Sequence, residues 1–223
     1  MKASFDYRTL ARESLRENWH SFALVALVFY AISCLSGTFS FIKLFGYYSD
    51  LFLSRGITFA FVILVASPLE FAFFILCLRN VRKNENQQSL VSGLFSIFAE
   101  KYEQSVIAMF VIALLELLLG AVTLGIGAVI LSLAYAMVPF IYEDDPSLDF
   151  RDALRISREM MYGHKVDLFM LYLSFIGWFL VGIMTCGIGM LWVYPYIVTA
   201  VAHFYEDVKT EFLSRTDQNN NEE

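Results

Sequence analysis

Apolar runs alternate with short polar or amphipathic segments along the chain. A membrane-spanning helix needs about 20 predominantly apolar residues, and these runs approach or exceed that length. The pattern predicts six transmembrane helices, at about residues 21–42, 57–78, 105–119, 124–142, 166–184 and 188–204. Short connections pair these segments into three hairpins. The predicted fold class is therefore an all-α polytopic membrane bundle.

An amphipathic helix is predicted before each hairpin. The first, within residues 1–18, carries an arginine at every fourth position, namely Arg8, Arg12 and Arg16. The third begins at Pro146 and carries a similar stripe, Arg151, Arg155 and Arg158. The second, at about residues 90–98, lacks a stripe. A helix with one apolar and one basic face is typical of the membrane interface.

These segments divide the single membrane domain into three units, at about residues 1–83, 84–145 and 146–210. A Gly-x-x-Thr-x-Gly-Ile-Gly pattern occurs in the second and third units, at Gly120, Thr123, Gly125 and Gly127 and again at Gly182, Thr185, Gly187 and Gly189. Both of these units end in Tyr-Glu-Asp, and the offset is about sixty residues. The pattern indicates a parallel internal repeat with tight hairpin turns. The polar tail, residues 211–223, is expected to be disordered.

The third unit also carries a set of longer motifs. They are Ser157-Arg-Glu-Met-Met-x-Gly-His-Lys, Asp167-Leu-Phe, Leu173-Ser-Phe-Ile-Gly-Trp, Gly187-Ile-Gly, Pro195-Tyr and Phe204-Tyr. With these motifs the chain resembles the bacterial integral-membrane family called domain of unknown function 975. The resemblance is strongest from Ser157 to Tyr205 and is expected to cover nearly the whole chain. It implies a multi-pass bacterial membrane protein, and the family has no agreed activity or site residues to transfer.

Composition agrees with a membrane protein and limits its chemistry. Hydrophobic residues make up 58% of the 223 residues and charged residues 17%, against about 25% charged in soluble domains. The net charge is −6 and no long basic run occurs, so nucleic acid is not an expected partner. The three cysteines, Cys34, Cys77 and Cys186, lie in apolar runs and are expected to be buried side chains. No metal site or cofactor is expected.

The distribution of basic residues predicts the topology. Fourteen of the sixteen Lys and Arg residues lie in the N-terminal segment, the two connecting segments and the tail, and only Lys43 and Arg55 lie elsewhere. By the positive-inside rule, those segments face the cytoplasm. Both termini are therefore expected on the cytoplasmic side of a bacterial inner membrane.

Glu70 and Glu116 are the two carboxylates deep within apolar runs. A charge near the bilayer centre is costly, so both are expected to face the bundle interior or to stay protonated. One interpretation is a proton, cation or substrate site. The other is a neutral carboxylic acid bonded to a helix backbone or to a polar neighbour such as Thr58 or Ser132.

The remaining charged candidates lie at helix ends. The two arginine stripes could bind anionic lipid headgroups, or they could be solvated faces that enforce topology. Carboxylates that oppose the helix dipole follow two membrane helices, at Glu143, Asp144, Glu206 and Asp207. We expect the stripe arginines to pair with these acidic ends and to hold the amphipathic helices across the base of the bundle.

No Ser-His-Asp set or His-Glu-x-x-His motif occurs, and the protein is not expected to be an enzyme. The first functional hypothesis is a protein that organises or senses the bilayer or supports a membrane partner. The alternative is a small transporter or channel using the intramembrane carboxylates. A lipid-modifying membrane enzyme has the least support. Expected partners are membrane lipids, including anionic headgroups, and other membrane proteins or a second copy of the chain.

Overall fold

The computed structural model describes residues 2–16, 18–44, 61–82, 90–123, 125–185 and 187–222. Every regular element in these ranges is helical, which confirms the all-α class. The connection 84–89, Thr58, Arg55 and Cys186 lie outside the described residues, as does most of the predicted far-side loop 43–56.

The described part of the N-terminal third contains three α-helices and a π-helical turn. Helix α1 spans Ser4–Leu15 and buries Tyr7, Ala11 and Leu15, which lie four residues apart on one face. Helix α2 spans Trp19–Leu44. The π-helical turn Val62–Ala66 leads into α3, Ser67–Val81, which has Pro68 in its first turn.

The middle third begins with α4, Leu90–Glu100, and α5, Tyr102–Val122. The predicted fourth membrane helix is divided into α6, Ile126–Tyr135, and α7, Val138–Asp144. Proline lacks an N–H group and clashes with the carbonyl four residues earlier, so Pro139 favours this break.

The C-terminal third contains α8, Phe150–Met160, α9, Lys165–Ser174, α10, Ile176–Met184, and α11, Met190–Glu222. Helix α8 begins at Phe150 rather than at Pro146 as predicted. Asp145 instead closes a turn, since the Ser147 N–H donates to Asp145 Oδ1 at 3.0 Å. The Ser147 hydroxyl and N–H hold the pKa of the Asp145 carboxyl below its usual range.

The C-terminal tail differs from the prediction. Helix α11 continues to Glu222, although residues 211–223 were expected to be disordered. A local ion pair favours this extension, because Arg215 pairs with Glu211 one turn earlier. Opposite charges at this spacing stabilise a helix by about 0.2–0.5 kcal/mol.

Among the described residues, four helical segments are long and apolar enough to cross a membrane: Leu64–Val81, Tyr102–Ala121, Ile126–Asp144 and Lys165–Met184. Their length and composition indicate a membrane protein. They differ in burial. Of the segment Leu64–Val81, 50% is buried inside the protein, whereas the buried share of Tyr102–Ala121 is only 11%. The first segment therefore belongs to the centre of the bundle and the second to its periphery.

Helices α3, α7 and α11 form the centre. The ring of Phe140 on α7 stacks on Tyr205 of α11 with centroids 5.0 Å apart, and Phe71 of α3 lies 5.8 Å from Tyr142 of α7. All four rings are at most 1% exposed. Buried aromatic pairs contribute about 0.5–1.5 kcal/mol beyond their area, so they fix the mutual positions of the three helices.

The other helices surround this centre in a regular order. Helices α1, α4 and α8, the three predicted to be amphipathic, pack on α11, α3 and α7, respectively. The helices that follow them in the chain, α2, α5 and α9, pack on α11, α3 and α6, respectively. Each of α1, α4 and α8 also contacts one of these three, in the pairs α1–α9, α4–α2 and α8–α5. The same set of contacts therefore occurs three times around the bundle.

Candidate functional site

A cluster of charged side chains lies where α3, α7 and α11 come together beyond the aromatic centre. It comprises two residues from each helix or its end: Arg79 and Arg82, Glu143 and Asp144, and Glu206 and Lys209. We refer to these six residues as the charged junction.

Arg79 and Glu143 form the first connection in the junction. Arg79 Nε lies 2.7 Å from Glu143 Oε1, and Nη2 lies 3.0 Å from Oε2, so the guanidinium binds both carboxylate oxygens. The Glu143 side chain is only 14% exposed. A two-bond pair of this kind fixes orientation as well as distance, so it sets how α3 meets α7.

Arg82 and Asp144 connect all three helices. Arg82 Nη1 lies 2.7 Å from Asp144 Oδ1, while Arg82 Nε lies 2.6 Å from Glu206 Oε1. Lys209 Nζ lies 2.7 Å from Asp144 Oδ2, and the Tyr205 hydroxyl donates to the same oxygen. One arginine therefore holds carboxylates from two helices, and one carboxylate accepts from three side chains.

Helix dipoles explain the distribution of charge. The C-terminal turn of a helix carries a partial negative charge, so Glu143 and Asp144 oppose the dipole of α7. Arg79 and Arg82 lie at the equivalent end of α3, where a cation is favourable. Burial lowers the pKa of Arg82, but its bonds to Asp144 and Glu206 outweigh that effect and raise it overall. The arginines thus offset the unfavourable end of α7. Glu206 and Asp207 were predicted to follow the end of a membrane helix, but they lie within α11, which continues to Glu222.

Three further contacts attach peripheral segments to the same end of the bundle. Lys2 Nζ lies 3.0 Å from Asp207 Oδ1, and the Tyr7 hydroxyl donates to Asp207 Oδ2 at 3.0 Å. Burial and the nearby Asp207 carboxylate raise the pKa of Tyr7. Lys101, which is 3% exposed, donates to the Tyr142 carbonyl at 3.0 Å. These contacts hold α1 to α11 and the start of α5 to α7.

The pairing predicted for the arginine stripes is wrong about the partners. The acidic ends are paired, but within the described ranges their cations are Arg79, Arg82, Lys209 and Lys2. Arg155 pairs instead with Asp152 of its own helix at 3.3 Å. Each amphipathic helix turns its apolar face to the bundle, so Arg12, Arg16, Arg151, Arg155 and Arg158 are exposed. Arg8 is half-buried, and its guanidinium carbon lies 5.6 Å from the centroid of the Phe175 ring.

Glu70 lies among aromatic side chains in the interior. The Tyr194 hydroxyl donates to Glu70 Oε1 at 3.2 Å. The Tyr194 ring stacks on Phe29 at 5.5 Å and lies 5.0 Å from Phe73. The carboxyl group therefore has a polar partner within an otherwise apolar environment, an arrangement that either interpretation of Glu70 would need.

The backbone just before Glu70 is irregular for an identifiable reason. Pro68 has no N–H to donate to the carbonyl of Leu64 four residues earlier, and the π-helical turn lies at this point. The Tyr102 hydroxyl of α5 donates to the Leu64 carbonyl at 2.9 Å. A side chain from a neighbouring helix thus compensates for the missing backbone hydrogen bond.

Glu116 lies in different surroundings. It is half-exposed on α5, the least buried of the four apolar segments. Of the two outcomes expected for such a carboxylate, facing the interior or staying protonated, the half-exposed position of Glu116 does not support the first, and the second stays a prediction. Among the described residues, Ser132, one of its suggested partners, donates instead to the Val129 carbonyl at 2.9 Å. The two glutamates do not form a paired site.

The two glycine-rich turns make the same bonds at matching positions. In the first, Gly125 N–H donates to the Gly120 carbonyl at 2.8 Å and Gly127 N–H to Thr123 Oγ1 at 2.7 Å. In the second, Gly187 donates to Gly182 at 3.0 Å and Gly189 to Thr185 Oγ1 at 2.8 Å. These bonds close the ends of α5 and α10.

Steric limits explain why glycine occupies these positions. Gly125 and Gly187 have φ angles of 91° and 87°, which strain residues that carry a Cβ. A Cβ on Gly127 would lie 2.5 Å from Thr123 Oγ1, and one on Gly189 would lie 2.7 Å from Thr185 Oγ1. A Cβ on Gly182 would lie 2.9 Å from Met190 Sδ, and one on Gly120 3.2 Å from Ala128 Cβ. The turns are compact structural elements.

Arg79 and Arg82 directly follow the predicted membrane helix 57–78, but their partners were not predicted. Aligning this helix and the last one on Pro68 and Pro195 places Arg79 opposite Glu206 and Arg82 opposite Lys209. Only the first of these positions brings opposite charges together, and neither is an ion pair in the structure, where Arg79 binds Glu143 and Arg82 binds Asp144 and Glu206. The partners therefore depend on how the helices pack.

A protein-family model described as "Protein of unknown function (DUF975)" matches residues 89–211, which is over half of the chain. The chain therefore belongs to this family, as its motifs indicated. The match begins at residue 89 and does not reach the near-complete coverage that was expected. No curated protein and no solved structure is significantly similar to the chain.

Proposed function

We propose that this protein is a non-enzymatic, multi-pass membrane protein that senses or organises the bacterial inner membrane through its amphipathic helices. The observation that carries the proposal is the pattern of contacts between helices in the bundle. Each of α1, α4 and α8 packs on a central helix from a different unit. Movement of an amphipathic helix in the interface would therefore change the contact between two units.

The proposed topology has six membrane helices in three hairpin units, with both termini in the cytoplasm. Helices α2 and α11 supply the two spans beyond the four long apolar segments. The three units follow one another around α3, α7 and α11 as an internal repeat. The location of basic residues supports the sidedness, and the matching glycine turns support an equivalent fold for the second and third units.

The charged junction gives the sensing hypothesis a physical basis. The amphipathic helices lie on the helices whose ends form the junction. Their exposed arginines are available to anionic headgroups, with about 1 kcal/mol expected for each residue near the surface. A change in headgroup charge would alter the position of these helices. The ion pairs Arg79–Glu143 and Arg82–Glu206 would transmit this movement from one unit to another.

Deuterium exchange in lipid vesicles tests this function. The protein is reconstituted into phosphatidylcholine vesicles with and without phosphatidylglycerol, and backbone exchange is followed in α1, α4 and α8. We expect exchange in α1 and α8, which carry the stripes, to slow markedly in anionic vesicles. The turn at Thr185 serves as an internal control and should not respond. Equal exchange in both vesicle types would contradict bilayer sensing through these helices.

Labelling of single cysteines tests the topology in a cysteine-free background. Cysteines introduced within residues 43–56 should react with an impermeant reagent from outside intact cells. Those within residues 84–89 should react only after permeabilisation. The opposite pattern would overturn the proposed orientation.

Transport through the bundle is the second candidate, supported by Glu70. This carboxyl group lies beside Tyr194, one turn after the π-helical segment, and such segments are frequent at functional sites. A proteoliposome proton-flux assay comparing the wild type with Glu70→Gln tests it. Glu116→Gln provides the matched control. A flux lost only in Glu70→Gln would favour transport, and equal flux in all three proteins would eliminate Glu70 as a proton site.

A further inference from the structure

A cleft of about 230 Å³ lies between α1, the start of α2, α10 and the start of α11. Its walls include Trp19, Trp178, Trp192, Val181 and Val193, with Arg12 of α1 at its edge. The chain has three tryptophans, and all of them line this cleft. We call it the tryptophan cleft.

Tyr196 of α11 organises the walls. Its ring lies 6.0 Å from Trp19 and 6.2 Å from Trp178, in edge-to-face geometry with both. Its hydroxyl donates to the Arg8 carbonyl at 3.0 Å, which attaches α1 to the same helix. The cleft is therefore defined by packed aromatic rings and an anchored amphipathic helix rather than by an irregular loop.

The outer side of the cleft faces the surroundings of the bundle. Trp178 is 40% exposed and Trp192 is 43% exposed, whereas Tyr196 behind them is 5% exposed. Tryptophan is enriched where a protein meets the headgroup region, because its ring is apolar and its N–H is polar. An apolar cleft that opens sideways at such residues suits an acyl chain from the bilayer.

Arg12 adds the one charge to this surface. It is the only charged residue among the described residues that line the cleft, and no described carboxylate lies within ion-pair distance of it. A guanidinium beside apolar walls is stabilised by an anion, and its planar fork of N–H groups matches a phosphate.

We propose that the tryptophan cleft binds one anionic phospholipid, with its phosphate on Arg12 and an acyl chain along the tryptophan-lined walls. This inference rests on the proposed bilayer function and assigns a specific site to it. A free phosphate would use Arg12 alone and leave the apolar walls unoccupied. A phospholipid satisfies both the cation and the walls.

The location of all three tryptophans permits a direct test by fluorescence. The full-length protein is reconstituted in vesicles whose phosphatidylglycerol or phosphatidylcholine carries brominated acyl chains, which quench nearby indoles. With the brominated lipid as a minor component, phosphatidylglycerol should quench at about five-fold lower concentration, the preference expected for one headgroup–arginine contact. Inorganic phosphate in the buffer should not relieve the quenching.

Substitutions on α1 provide the matched comparison. Arg12→Gln should abolish the phosphatidylglycerol preference, and Arg12→Lys should retain part of it. Arg16→Gln removes an exposed arginine at the C-terminal cap of α1 that does not line the cleft, and it should leave the preference unchanged. Circular dichroism of each variant verifies that the helices are intact.

The possible results distinguish a failure of the proposed lipid site from a failure of the proposed bilayer function. Equal quenching by both brominated lipids, or equal loss in Arg12→Gln and Arg16→Gln, would overturn the site but leave bilayer sensing intact. Relief of quenching by inorganic phosphate would assign Arg12 to a soluble anion and also overturn it. Absence of quenching by either lipid would contradict membrane insertion and thus the proposed function itself.

Discussion

The two ends of the bundle are held together in different ways. At the turn end, each of the two described glycine turns is closed by bonds among its own residues, as in the bond from Gly189 N–H to Thr185 Oγ1 four positions away. At the charged end, the bonds connect distant parts of the chain. Arg79 and Glu143 are 64 positions apart, and Arg82 and Glu206 are 124 apart.

This difference separates local folding from assembly. A glycine turn can form as soon as its own hairpin forms, because all of its donors and acceptors lie within a few residues. The charged junction can form only after α3, α7 and α11 have packed together. Damage to a turn should therefore affect one hairpin, whereas damage to the junction should affect the relation between units.

The largest effect is expected for Arg82→Gln. This change leaves Asp144 and Glu206 without their shared guanidinium, and breaking a buried ion pair costs about 3–5 kcal/mol. Because Arg82 is partly exposed, we expect a loss near the lower limit, about 3 kcal/mol, in the free energy of unfolding. Denaturant titration in mixed micelles provides the measurement. Arg158→Gln, on the exposed face of α8, should change stability by less than about 0.5 kcal/mol, and equal losses would contradict the junction's role.

The second effect concerns coupling between Arg79 and Glu143. Arg79→Gln and Glu143→Gln should each be destabilising, and the double variant should be less destabilised than their sum. Hydrogen bonds to charged groups contribute about 1.5–3 kcal/mol, so a coupling energy of about 1.5 kcal/mol is expected after allowing for partial exposure. Additive losses in the double-mutant cycle would show that this contact does not join the helices energetically.

At the turn end, Gly187→Ala should cost about 1–2 kcal/mol, because a Cβ is unfavourable in the left-handed region. The matched control is Gly177→Ala, on α10, where a Cβ would meet no atom within 4 Å. That control should be neutral or stabilising by up to about 1 kcal/mol, since alanine favours a helix. Thermal unfolding of both variants measures the contrast. A tolerated alanine at 187 would contradict the turn geometry.

The smallest effect is expected for Lys2→Gln. Its side chain is 50% exposed in the pair with Asp207, and exposed ion pairs contribute about 0–1 kcal/mol. Salt screens such pairs readily, so any difference from the wild type should vanish at high ionic strength. A loss of stability comparable with that of Arg82→Gln would mean that Lys2 contributes as much as the charged junction. It would contradict the distinction drawn between the junction and this exposed ion pair.

Several features of the fold followed directly from the sequence. The helical segments, the amphipathic character of α1 and α8 and the glycine turns were all predicted from periodicity and spacing. The compensation of the irregularity at Pro68 by the Tyr102 hydroxyl was not predicted. Interruptions within the fourth and fifth apolar runs were not predicted, because hydropathy measures length and composition but not the continuity of backbone hydrogen bonds.

The candidate sites followed only in part. The acidic residues were predicted to pair with the stripe arginines, but the sequence does not specify which face of each helix points into the bundle. In the structure the apolar faces of α1 and α8 are buried, for example through Ala11 and Ala153, so most of the stripe arginines point outward. The separation of Glu116 from Glu70 has the same origin, since α5 lies at the periphery.

The sequence by itself determined which segments are helical and where the tight turns lie. These properties depend on hydrophobic periodicity and on glycine's access to positive φ, which act over a few residues. The tertiary structure decided which charges meet, which carboxylate lies in the interior and where a cleft remains between helices. Those outcomes depend on the order in which separate helices pack, and a long-range ion pair such as Arg82–Glu206 exists only once that order is set.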